Sequence, residues 1–163
     1  MRWESDKSTD QHEIYHLFDG EQQLLTLIYH PFSNAARIEC NREKRVFLIR
    51  KEGFRRNKKV IRNEYGIKIG EFGRENGEDF IMVNEKRFNY ASQNSPATEM
   101  ILYHESAEKP LVSCSLKSQD GKPGIRIPED SLLPDGPHPG LLMALCWYMF
   151  LPVAGKKKMA LTS

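Results

Sequence analysis

One-sided charge is missing from this chain. Its 24 lysines and arginines face 22 aspartates and glutamates, leaving a net charge of +2, too mild to imply nucleic acid as a partner by itself. Cysteine is scarce: Cys40, Cys114 and Cys146 make an odd number with no CxxC pair. That excludes a disulfide framework and favours buried free thiols in a reducing compartment. The start, "MRWESDKSTDQHEIY", has no apolar h-region, so no secretory signal is read and the cytoplasm is the expected location. Catalytic and metal motifs are also wanting. No HExxH occurs, "GKPG" at 121–124 lacks P-loop spacing, and "VSCSL" around Cys114 marks no nucleophile elbow. The acidic pairs Glu78-Asp79 and Glu129-Asp130 flank turns and give no sign of facing across a cleft. His12 and His16 are four apart, but in a strand that spacing puts them about 13 Å apart, too far to share a metal. Accordingly no cofactor, no metal site and no catalytic residue is expected, and an enzyme with an open barrel mouth is the weakest reading.

What the chain does have is a series of short strand-like runs. "EIYHLF", "LLTLIY", "AARIEC", "RVFLIR", "KVIRN", "IKIGEF", "DFIMV", "KRFNYA", "EMILYHE", "LVSCSL" and "GIRI" follow one another. They are rich in Ile, Val, Tyr and Phe, and turn signals such as Asp19-Gly20 and Asn84-Glu85 separate them, the pattern of consecutive antiparallel hairpins. Several carry apolar residues on both faces: in "RVFLIR" Val46 and Leu48 point one way, Phe47 and Ile49 the other. "ARIECNREKRVFLI" and "DFIMVNEKRFNYA" share a strand, an Asn turn, Lys-Arg and a strand, which suggests a repeated hairpin unit. With 163 residues the chain suits one domain.

A proline-rich connector, "IPEDSLLPDGPHPG", then leads to the one strongly apolar run, "LLMALCWYMFLPVA" at 141–154. A helix from about Pro139 to Leu151 spans roughly 13 residues, or ~20 Å. A bilayer core needs about 30 Å and about 20 apolar residues. The run is therefore too short, and Pro152 is expected to stop it. Because it is apolar on every face, it must be surrounded. The expected fold is mainly β: a closed or nearly closed antiparallel barrel of about 10–12 strands around this buried C-terminal helix. Leu142, Leu145, Cys146, Trp147, Met149 and Phe150 are its expected core fillers. Residues 1–11 are read as an N-terminal arm, 12–154 as the barrel with its central helix at 141–151, and 155–163 as a basic mobile tail.

Hairpins in series, a proline-rich crossing and an apolar C-terminal helix resemble the tubby-like superfamily, which includes the tubby C-terminal domain, the LURP-one-related proteins and the phospholipid scramblases. "RVFLIRKEGFRRNKKVIRNEYGIKIGEF" (45–72) is similar to the scramblase and LURP-one hairpin pattern, and "LCWYMFLP" to the core helix. The resemblance covers about 12–154. It implies a barrel threaded by a hydrophobic helix and, weakly, lipid binding. An acidic calcium-binding run and tubby's phosphoinositide pocket have no counterpart here.

The densest charge cluster is "RKEGFRRNKK" at 50–59, followed by Arg62. Arg50, Lys51, Arg55, Arg56, Lys58, Lys59 and Arg62 are the candidate anion- or lipid-binding residues, with Phe54 at the tip of their loop. Such a loop suits anionic headgroups. Nucleic-acid phosphate is chemically possible but disfavoured, and a solvated hairpin loop is the plain structural alternative. The expectation is a monomeric, non-catalytic binding module, cytoplasmic or peripheral to a membrane, that engages anionic phospholipid or a protein partner. The alternative is a scramblase-like protein anchored by 141–154.

Overall fold

The computed structural model describes residues 1–6, 9, 11–54, 57–93, 98–104, 110–115, 124–126 and 139–162, with the backbone alone described at 124–126 and 155–162. Twelve strands precede one helix: β1 (Arg2–Ser5), β2 (Glu13–Asp19), β3 (Gln22–His30), β4 (Ala35–Cys40), β5 (Arg45–Glu52), β6 (Lys58–Asn63), β7 (Lys68–Glu75), β8 (Glu78–Val83), β9 (Lys86–Gln93), β10 (Glu99–His104), β11 (Pro110–Ser115), β12 (Gly124–Arg126) and α1 (Pro139–Thr162). Each strand pairs antiparallel with its neighbour in sequence. The order brings β12 back to β1, where a single register pair, Arg2↔Gly124, joins them. In its coarse form the expected fold holds: mainly β, antiparallel throughout, with one apolar C-terminal helix.

Turn chemistry sets the register. Asn76-Gly77 and Asn84-Glu85 are two-residue turns between β7 and β8 and between β8 and β9. All four residues have positive φ, at 53°, 79°, 50° and 67°, the mirror-image turn geometry that matches the twist of adjacent strands. Asn63 makes a different turn. Its Oδ1 accepts from the amides of Tyr65 and Ile67, both at 3.0 Å, and so folds β6 back to β7.

The helix is buried against the sheet. Every residue from Leu141 to Phe150 is buried, including all six expected core fillers. Strands meet it on several sides. Trp147 stacks on Trp3 of β1 at 5.0 Å and meets Tyr15 of β2 edge-on at 5.7 Å. Tyr148 touches Tyr29 of β3 and Phe72 of β7. Cys146 Sγ lies 3.5 Å from the carbonyl of Met100 on β10. All three cysteines are buried free thiols. Burial pushes the Cys40 thiol up to about 11 and the Cys114 thiol well above its ordinary range.

Two expected boundaries are corrected. The segment 1–11 is not simply an arm: Arg2–Ser5 is a strand of the sheet, and its Trp3 is buried against the helix. The residues "RWES" are too few and too polar for periodicity to reveal a strand; what holds them is the single large ring of Trp3. The helix does not end at Leu151 but runs to Thr162 with Pro152 inside it, so backbone assigned to a mobile tail continues the helix. A proline removes one ladder bond; it does not stop a helix whose preceding turns are already fixed by packing.

Candidate functional site

The end of the sheet where β5 leads into β6 gathers Arg50, Lys51, Lys58 and Lys59. The pairing Ala36↔Ile49 between β4 and β5 sets the turn after β3 (residues 31–34) beside the loop after β5. Each carries a phenylalanine in solvent: Phe32 is 94% and Phe54 102% exposed. Rings this exposed bury nothing in the protein, and two on neighbouring turns form a feature that stability does not require. Between the Phe32 turn and the end of β5 lies an open groove of about 640 Å³, lined by Phe32, Ser33, Ala35, Arg50, Lys51 and Glu52. Gly53, at φ 99°, starts the Phe54 loop in a conformation that side chains with a Cβ rarely adopt.

The seven basic candidates separate into distinct groups. Arg55 and Arg56 lie outside the described residues. Arg62 is committed to the fold: its Nε and Nη2 donate to Glu52 at 3.0–3.1 Å, and its Nη1 donates to the Gly66 carbonyl at 2.8 Å. Lys58 pairs with Glu71 at 3.2 Å, a carboxylate that Lys68 also holds at 2.8 Å. Hydrogen bonds from these cations hold Glu52 and Glu71 below the usual carboxylate range, Arg62 acting on the first and Lys68 and then Lys58 on the second. Arg50, Lys51 and Lys59 have no ion pair among the described residues.

Strand alternation explains the division. In β6, Lys59, Ile61 and Asn63 share one face, and Ile61 is fully buried in the core. Lys59 therefore turns inward, and its Nζ lies 4.9 Å from the Phe72 ring centre and 5.1 Å from that of Tyr148. Burial, then the positive charge of Lys51, lowers its pKa. In β5, Lys51 shares the inward face with Phe47 and Ile49, and it stands directly opposite Lys59. Tyr148 is fixed in this rim, since its hydroxyl donates to the Asn34 carbonyl at 2.5 Å and Tyr29 donates to Asn34 Oδ1 at 3.1 Å.

Sequence reading found the basic cluster and Phe54 but not Phe32. The signal was "PFSN" at 31–34, a large ring inside a turn bounded by two strands. Reading also treated the cluster as one loop, whereas Lys58 and Arg62 face outward on β6 and Lys59 inward. His12 and His30 place their rings 6.1 Å apart, but among the described residues no three His, Cys, Asp or Glu side chains gather as a metal site. Comparison of the chain with protein-family models, curated proteins and solved structures gave no match.

Proposed function

We propose that this protein is a non-catalytic binding module of the tubby-like type, its sheet acting as a closed barrel around α1, and that it docks on an anionic phospholipid surface with the end that carries Phe32 and Phe54. The observation that carries the reading is the pair of solvent-exposed phenylalanines on adjacent turns, flanking Arg50 and Lys51, which have no ion pair among the described residues. Ring insertion and headgroup attraction are complementary. Fully burying one Phe is worth about 1.5–3 kcal/mol, and each basic residue near an anionic surface adds about 1 kcal/mol. The serial hairpins and the enclosed apolar helix support the family reading.

The second reading, a scramblase-like protein anchored by 141–154, requires the helix to leave its strands. The burial of every residue from Leu141 to Phe150 within the protein favours docking instead. Among the described residues no helix is long and apolar enough to cross a membrane.

Co-sedimentation with vesicles tests the proposal. Binding to vesicles containing phosphatidylserine is expected to exceed binding to pure phosphatidylcholine and to weaken as salt rises. Phe32→Ser with Phe54→Ser is expected to lower the partition coefficient by at least about tenfold, and Arg50→Glu to lower it further. Equal binding of wild type and the double variant would remove this end from the account.

A further inference from the structure

Lysines directly opposite each other on one face of an antiparallel pair repel, and sheets ordinarily avoid the arrangement. Lys51 and Lys59 are such a pair, on the inward face of β5 and β6 at the open end of the sheet. Among the described residues no carboxylate pairs with either. Close by, the same strands do offer matched charges: Glu52 is opposite Lys58 in register and bonded to Arg62. The unmatched pair is thus confined to the inward side.

The surroundings restrict what could neutralise it. Lys59 is held from below by the faces of Phe72 and Tyr148, which accept a cation but cannot discharge it. Lys51 is exposed at the rim and lines the groove beside Phe32. Across the one register pair, Lys59 thus stands on the apolar side, over two rings, and Lys51 on the wet side, in the groove. Tyr148, whose ring lies under the Lys59 ammonium, is held in place by its hydrogen bond to Asn34.

We infer that Lys51 and Lys59 form a discrete site for a single phosphate group carrying two negative charges, a phosphomonoester or inorganic phosphate, at the open end of the sheet. Two opposed ammonium groups suit one compact dianion, since each can give a charge-assisted hydrogen bond to a separate oxygen. A phosphodiester, with one charge, would leave one lysine unmatched. The inference deepens the surface reading above and rests on the same end meeting anions, but it requires neither a membrane nor the exposed phenylalanines.

Calorimetric titration of the intact protein with inorganic phosphate and with glycerol 3-phosphate tests it. Saturable binding of either is expected in wild type. Lys51→Glu and Lys59→Met are each expected to weaken it at least about tenfold, while Arg42→Gln, in the exposed turn between β4 and β5 at the opposite end of those strands, leaves it within about twofold. Lys51→Glu places opposite charges across the pair and is expected to fold, with tryptophan emission as the check. Vesicles distinguish the sources. A gain in binding from phosphatidic acid in phosphatidylcholine that Lys59→Met abolishes, with phosphatidylserine binding retained, points to a lipid phosphomonoester; soluble phosphate binding without that gain points to free phosphate. No saturable binding in wild type, or binding that survives both lysine substitutions, overturns the inference. Phosphate binding by a protein that ignores phosphatidylserine vesicles would instead sink the surface reading alone.

Discussion

Single residues decide much here through close contact. A Cβ added at Gly70 would lie 2.2 Å from the carbonyl oxygen of Met82, a backbone atom of the adjoining strand. At Gly73 the nearest atoms belong instead to the ring of Phe80, at 2.5 Å, which also carries the Arg87 guanidinium at 4.0 Å. A ring can shift where a paired backbone cannot. Gly70→Ala is therefore expected to cost about 1–3 kcal/mol or more, and Gly73→Ala less, as read by urea unfolding. Equal costs would mean that the strand spacing at Gly70 is looser than described. Neither contact can be read from "IKIGEFG", since a glycine in a strand pattern signals close approach without naming the neighbour. The inward turn of Lys59 follows from parity with Ile61 only once β6 is known to start at Lys58; in "RKEGFRRNKK" the run of charge reads as one loop and hides it. The opposition of Lys59 to Lys51 depends on the β5–β6 register, which the intervening "GFRRN" does not fix.

At the scale of elements, the strands were the most legible part. Runs such as "AARIEC" and "DFIMV" are dense in β-branched and apolar residues and end at turn signals, so both the type and the order of the hairpins could be read. β1 was not legible, because its place depends on one tryptophan meeting another far away in sequence. That contact makes a prediction. Trp3 is 1% exposed and stacks on Trp147, so Trp3→Ala is expected to destabilise the protein by about 3–5 kcal/mol in a chemical denaturation curve. A change below about 1 kcal/mol would return residues 1–5 to the status of a loose arm. The helix shows the opposite failure of reading. Its burial was clear from an apolar face on every side, yet its end was misplaced because Pro152 was weighted as a stop. Local propensity gives way where the turns before a proline are already held by tertiary contacts.

For the whole molecule, the account turns on what encloses the apolar helix. If strands enclose it, the protein meets a membrane with its rim, where Phe32, Phe54, Arg50 and Lys51 stand, and the core stays intact. If lipid encloses it, the rim is incidental. The two tryptophans of the chain report on this together, because Trp3 and Trp147 are stacked partners and both are buried; neither need be replaced. The most direct measurement is tryptophan emission in detergent-free buffer and again on phosphatidylserine vesicles that contain brominated lipid. The account predicts a blue-shifted emission in both conditions, protected from iodide in buffer and from bromine on the vesicle. Strong quenching by brominated lipid upon binding would put the helix among acyl chains and contradict it.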